Sequence, residues 1–324
     1  MDRRAWVVAI GLVSCTLLAA GCTSSSSGSK KTGTSGSTTD IKVGTAPTMS
    51  GVSFYLAAQN GTFARNHLSA TPQVMTSGAQ AIPLLLNGQV QFTVADAVGA
   101  IKAVSQKIPL EIVAQGPIVS PDPTKDNAGL VVGPGIANVQ DLAGKTIAVN
   151  ALASFSQLAA EKSIDLAGGD SSKVKYVELP IPQMAAAVKA GTVAGAAISE
   201  PFLSQGKADG LKDLTPILNK VFPNAPMLVY LASASYASSH PQVIKEFAAS
   251  IAAANTALGT NPATLKSVAG SVAKVTSAQL DTMILPTYVP TPVSLDALKT
   301  VMDVMVEYKV LKAPIDLQSH VDGA

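Results

Sequence analysis

Residues 179–202 read LPIPQMAAAVKAGTVAGAAISEPF. Met184, Ala185, Ala187, Val188 and Ala190 recur at helical spacing, which predicts a helix with one apolar face. Gly191 follows, and glycine takes the left-handed position that closes a helix without steric cost. Val193, Ala194, Ala196, Ala197 and Ile198 then form an almost continuous apolar run, as a strand covered on both faces requires. The run ends at a lone acid, Glu200, followed by Pro201, at the strand end where open α/β sheets place their ligands. The same pattern occurs earlier: residues 82–96, IPLLLNGQVQFTVAD, align when Gly88 is laid on Gly191 and Val90 on Val193. Asp96 then falls one place before Glu200. The chain reads as two halves built on one plan, each aiming a strand end and an acid at a shared crevice.

The N-terminal residues are read as export machinery. Arg3 and Arg4 precede an apolar stretch, Trp6 to Ala20, that is too short for a mature membrane-spanning helix. Leu18-Ala19-Ala20-Gly21-Cys22 resembles a bacterial lipobox, so residues 1–21 are expected to be a lipoprotein signal peptide cut before Cys22, which would carry the lipid anchor. Of the two cysteines, Cys15 leaves with the signal; Cys22 alone then remains, which excludes a disulfide, a thiolate metal site and a cysteine nucleophile. Residues 22–39, rich in Ser, Thr and Gly, are expected to be a flexible tether. The formal net charge is +2 with no long basic run, which argues against nucleic acid as a partner.

From residue 40 onward, strands alternate with helices, which predicts parallel α/β lobes. Strands are expected at 40–45, 68–75, 90–95, 110–115, 129–132, 145–149, 174–179 and 227–232, and the tail after Pro241 is expected to be mostly helical. Crossings near 128 and 226 would make lobe 2 (128–226) an insertion in lobe 1 (40–127 plus 227–324). Such a two-strand hinge suits a closing cleft.

Leu142-Ala143-Gly144-Lys145-Thr146-Ile147-Ala148-Val149 looks like a signature of the substrate-binding proteins of ABC importers. The nearest group is the one for nitrate, sulfonates, taurine and thiamine-pyrimidine precursors; 179–202, Ser77-Gly78-Ala79 and 63–68 are similar to its segments. The acid usual after the helix glycine is replaced by Gln91 in the first half and Gly195 in the second. The resemblance spans about residues 40–310. It implies a class II periplasmic-binding-protein fold, two α/β lobes around a ligand cleft joined by a two-strand hinge. It further implies a monomeric, extracytoplasmic protein, lipid-anchored to the outer face of the cell membrane, that captures a small molecule and delivers it to an ABC permease.

The expected ligand contacts lie in loops at strand C-termini. They are Thr45, Met49, Ser50, Phe54, Ser77, Gly78, Ala79, Asp96 and Ala97 from the first lobe, and Asn150, Ser154, Phe155, Ser156 and Glu200 from the second. Most have a plainer reading as well. Ser77, Ser154, Ser156 and Asp96 suit helix caps, Phe54 and Phe155 suit packing, and Glu200 suits a structural bond at the hinge. Once the signal is removed, Arg65 is the single arginine, so a guanidinium fork for a sulfonate or carboxylate is not expected. That favours a heteroaromatic or amine-bearing solute, with organosulfur compounds still open. No cofactor and no metal are expected: His67, His240 and His320 are scattered, and Val139 stands where a phosphate-binding loop ending in Gly144-Lys145-Thr146 needs its first glycine. An enzyme on the same fold and a ligand-presenting sensor lipoprotein remain the other readings.

Overall fold

The computed structural model describes residues 38–75 and 78–322. Gly88 and Gly191 both have left-handed φ, 75° and 71°. In the first copy the Gly88 amide donates to the Leu85 carbonyl, and those of Gln89 and Val90 to Leu84; in the second, Gly191 donates to Val188, and Thr192 and Val193 to Ala187. The two turns are the same hydrogen-bonded object, 103 residues apart.

Among the described residues ten strands form two five-stranded sheets. β1 (Thr39–Thr45), β2 (Leu68–Val74), β3 (Phe92–Asp96), β4 (Leu110–Gln115) and β10 (Leu228–Ser233) make the first, in the order β2-β1-β3-β10-β4. β5 (Ala128–Val132), β6 (Thr146–Val149), β7 (Lys175–Glu178), β8 (Gly195–Ser199) and β9 (Lys212–Pro216) make the second, in the order β7-β6-β8-β5-β9. The orders match position for position. So does the register: Val43 and Gly44 oppose Phe92 and Thr93 in one sheet, and Ile147 and Ala148 oppose Gly195 and Ala196 in the other.

The sheets are not purely parallel. β10 runs antiparallel to β3 and β4, and β5 antiparallel to β8 and β9. These are the strands by which the chain enters each sheet after crossing. The chain crosses at the crevice, where the parallel strands end, so a strand that begins there must run against them. The crossing segments lie side by side: the Val119 amide donates to Ala225 O at 2.8 Å and the Met227 amide to Pro117 O at 3.0 Å. Asp126 anchors one of them, accepting from the amides of Leu218 at 2.8 Å and Asn219 at 2.9 Å.

Helices cover the sheets: α1 (Val52–Gln59), α2 (Thr62–Arg65), α3 (Gly78–Leu86), α4 (Ala97–Ser105), α5 (Phe155–Leu166), α6 (Ile181–Lys189) and α7 (Phe202–Ala208). The tail supplies α8 (Ala234–Ser239), α9 (Pro241–Thr260), α10 (Pro262–Ala273), α11 (Ser277–Thr282) and α12 (Leu295–Glu307). Pro83 lies inside α3.

One face of the first sheet is packed with aromatic rings: Phe92 stacks on Phe247 at 3.8 Å, and Phe54, Phe63 and Tyr230 join them. The face of the second sheet against α6 and α7 is packed with small aliphatics, Val131, Ala148, Val188, Ala196 and Ile198. On the other side α12 contacts both α4 and α5, where Lys162 pairs with Glu307 at 2.6 Å and the Tyr308 hydroxyl donates to Asp165 at 2.5 Å.

The position equivalent to Gln91 is Ala194, not Gly195, because each donates its amide to the strand beside it, Gln91 to Lys42 O and Ala194 to Thr146 O. The Gln91 side chain accepts from the Lys42 amide at 2.8 Å and donates to Gly88 O at 3.0 Å, so it ties the turn to β1.

Candidate functional site

A cavity of about 370 Å³ lies where β3, β6 and β8 end and β5 and β10 begin. Its wall takes residues from both sheets: Met49, Ser50 and Asp96 from the first, Asn150, Ser154, Phe155, Ser156 and Glu200 from the second. A larger surface groove, about 630 Å³, opens at the opposite ends of β5, β6 and β8, where Gly133, Gly135, Gly144 and Gly191 join Lys145 and Lys189 in its lining.

Asp96 ends β3 and caps α4: its Oδ1 accepts the Gly99 amide at 2.9 Å. A Cβ at position 99 would stand 3.0 Å from Asp96 Oδ2, so glycine there leaves the carboxylate its place. Burial pushes this carboxyl above the ordinary aspartate value, while the amides of Gly99, Phe155 and Val98 pull it back. Phe155 opens α5, on the second-sheet side, so the carboxylate faces the starts of two helices from opposite sides of the crevice.

Asn150 follows β6, and its Oδ1 accepts from the Ser156 hydroxyl and, at 3.3 Å, from the Ser154 hydroxyl. Ser154 also caps α5 through the Gln157 amide at 3.4 Å. Phe155 lines the cavity, and its ring packs on Phe222 with centroids 4.5 Å apart.

Glu200 is buried, and its carboxylate is engaged within the protein. Oε1 accepts from the Ser204 hydroxyl at 2.7 Å and the Ile284 amide at 3.0 Å, and Oε2 from the Ser204 amide at 3.0 Å. The acid caps α7 and reaches the segment after α11. The structural bond is therefore made, to residues 204 and 284 rather than at the hinge.

Three expected contacts fall outside the cavity wall. Phe54 is fully buried among Tyr55, Phe63 and the first-sheet core, because α1 begins at Val52 and turns the ring inward. Ala97 is fully buried as the first residue of α4. Thr45 is buried, and its hydroxyl has no partner; a Cβ on Gly51 would come within 3.0 Å of it, which places it under the turn that carries Met49 and Ser50. Gly78 and Ala79 open α3. Ser77 and Cys22 lie outside the described residues.

The cavity also takes residues for which the sequence offered no signal. Met227 and Leu228 come from the returning crossing, Ile217 and Leu218 from the outgoing end of the second sheet, and Met283 and Pro286 from the tail. Arg65 is spent on Asn60 O and the Thr62 hydroxyl, both at 2.8 Å. Among the described residues no group of three His, Cys, Asp or Glu side chains could hold a metal, and no helix is long and apolar enough to cross a membrane.

The family model described as NMT1/THI5 like matches residues 50–265. The chain is 30% identical over 199 residues to the taurine-binding periplasmic protein of Escherichia coli (strain K12), a match covering 60% of this chain and 59% of that relative. Among solved structures it resembles the alkanesulfonate-binding protein SsuA from Xanthomonas axonopodis pv. citri bound to MOPS, with a TM-score of 0.70, 19% identity, and coverage of 88% of this chain and 98% of that one. It also resembles the desulfurization enzyme DSZB, with a TM-score of 0.65, 11% identity, and coverage of 88% and 96%. At these identities the likenesses establish a periplasmic-binding-protein fold and the fold alone.

Proposed function

The chain belongs to the NMT1/THI5-like family, and from that membership we propose that it is the extracytoplasmic solute-binding lipoprotein of an ABC importer. It captures a small heteroaromatic, amine-bearing or organosulfur solute between its lobes and delivers it to a permease. Lobe 1 is assigned residues 40–127 and 227–324, and lobe 2 residues 128–226. Lipid on Cys22, after removal of residues 1–21, holds the monomer at the outer face of the membrane, with residues 22–39 as spacer. The observation that carries the reading is the cavity, whose polar side chains converge from the strand ends of both sheets, so that one solute touches both lobes. The two hydrogen-bonded crossings supply a hinge about which a ligand can shift the balance between open and closed forms.

An enzyme is the competing reading, since DSZB shares the fold. The cavity wall argues against it: among the described residues it holds no histidine, cysteine, lysine or tyrosine, and its serines near Asn150 have an amide rather than a base as partner. A thermal-shift screen separates the two. A true ligand at hundredfold excess over Kd adds about 2.7 kcal/mol of stability and is recovered chemically unchanged. A stabilising compound that is converted would establish the enzyme reading instead.

A further inference from the structure

Resting on the solute-binding reading, we infer that Glu200 is a latch between the two halves: it grips a strap of the C-terminal tail, residues 283–287, that walls the cavity, and releasing the strap opens the way out for a bound solute. The halves are joined differently on the two faces of their sheets. Along β5, Leu130 and Val132 point to one face and Val131 to the other, as the pleat requires. On the face covered by α4, α5 and α12 one apolar cluster runs through both halves, from Ile101 and Met305 to Leu158 and Ile164. On the other face the cores are separate. Phe92, Tyr230 and Phe247 belong to the first-sheet core and Val131, Ala196 and Leu203 to the second, and among the described residues these two clusters share none. Hydrogen bonds bridge that face: the Ile284 amide donates to Glu200 Oε1 at 3.0 Å, and the Ser204 hydroxyl donates to Thr282 O at 3.3 Å.

The strap belongs to the first half. Met283 packs with Leu280 and Ala269, Leu285 packs on the first-sheet core, and Tyr288 is buried in it. Thr287 O accepts the Ile118 amide of the outgoing crossing at 2.9 Å. Met283 and Pro286 line the cavity, and Glu200 lines it from the second half. Ile284 lies between the two lining residues and donates its amide to the acid, so grip and wall are one structure. Glu200 can also let go. The other donors on its carboxylate, the Ser204 amide and hydroxyl, come from α7 and travel with it. Losing Ile284 therefore leaves a capped carboxylate rather than a buried unpaired charge, and water replaces one bond at small net cost. The shared apolar cluster has no such substitute, because parting it would expose hydrocarbon. The halves accordingly part at the polar face, and a solute that touches both walls shifts the balance toward the gripped form.

Hydrogen exchange resolved to single amides by NMR tests the latch in the solute-free protein. The Ile284 amide, bonded between the halves, should exchange about tenfold or more faster than the Glu200 amide, which is bonded to Asn127 O within the second half. Equal protection of the two overturns the latch. Taurine, hexanesulfonate and 4-aminopyrimidine serve as solute probes, and one that binds should slow exchange at Ile284 more than at Glu200. Ile284→Pro deletes the donor and keeps Glu200 and the lining residues; Met283 already has the extended backbone, φ −78° and ψ 151°, that precedes proline. Glu200→Ala deletes the acceptor and covers the case in which the proline variant fails to fold. Each should speed dissociation of a bound probe by about tenfold or more and change association less. The double variant should dissociate no faster than the faster single one. Unchanged dissociation in either folded variant overturns the latch and leaves solute binding standing. Should none of the probes bind, the solute-binding reading loses support, and exchange at Ile284 alone decides whether the halves are latched.

Discussion

At Asp96 the strand β3 turns directly into α4, whereas β8 ends at Ser199 and Glu200 and Pro201 intervene before α7 begins at Phe202. Both acids cap the third amide of the helix that follows, Gly99 in one case and Ser204 in the other. Glu200 is also met by a backbone amide from a distant segment, that of Ile284, and the Phe155 amide, at the start of α5, lowers the pKa of the Asp96 carboxyl. The duplicated unit thus keeps its capping chemistry, although Glu200 stands one residue farther from its helix than Asp96 does. A second contrast sits at the start of the same strands. Phe92 fills the first-sheet core, and its equivalent, Gly195, has no room for a side chain, since a Cβ there would lie 2.8 Å from Val131 O. One half is held by large rings and the other by close backbone approach.

The largest effect should come from the aromatic half. Phe247→Ala removes the ring stacked on Phe92 and in contact with Phe63 and Tyr230, and should cost about 3–5 kcal/mol in urea denaturation. A loss below about 1 kcal/mol would mean that the rings do not bear the load of that half. The corresponding probe of the second half is Gly195→Ala, which should cost about 1–3 kcal/mol because the added methyl meets backbone that cannot move aside cheaply. Neutral or increased stability would show that β8 and β5 have slack between them.

The acids provide a finer contrast. Glu200→Gln should lower stability by about 1–2 kcal/mol, since its carboxylate is the acceptor for three donors; a variant as stable as the parent would show that those bonds are replaced by water without loss. Asp96→Asn should show a smaller effect that depends on pH. Burial raises the Asp96 carboxyl above 3.8, so the folded state binds its proton more tightly than the unfolded chain does. Ionising it therefore costs stability as pH rises through the folded value, and that cost is absent once the acid is protonated. The variant, neutral throughout, escapes the cost. The melting-temperature difference, variant minus parent, should fall as pH is lowered from 7 toward 4. A difference independent of pH would show that the carboxyl is not strained by burial.

Much of the architecture was legible in local pattern. Gly88 and Gly191 marked the two turns because left-handed backbone strongly favours glycine. Strand β4 and the helical character of the tail stood out through apolar periodicity bounded by polar residues. The direction of β5 and β10 did not, because strand polarity in a sheet depends on where the chain arrives, and composition carries no record of that. β9, KDLTP, is an edge strand with little apolar alternation, so its pairing with β5 supplied no periodic signal. Phe54 was misjudged for a related reason: an aromatic residue near a strand end reads the same whether its helix starts one turn early or late, and that start decides whether the ring faces cavity or core.

The candidate site divides along the same line. Asp96, Asn150, Ser154, Ser156 and Glu200 were visible because polar residues that follow a buried strand need partners. What each acid does depends on segments far away in the chain. Ile284 reaches Glu200 across 84 positions, and the Phe155 amide, from the start of α5, lowers the pKa of the Asp96 carboxyl. The sequence by itself determined the two-fold plan, the strand ends that carry the polar side chains and the poverty of cations among them, because these are properties of short segments and of composition. Only the tertiary structure decided that Glu200 is engaged by its own protein, that Asp96 stands between two helix starts, and that Met227 and Met283 close the wall. Those outcomes depend on distances between residues remote in sequence, which the packing of the two sheets sets.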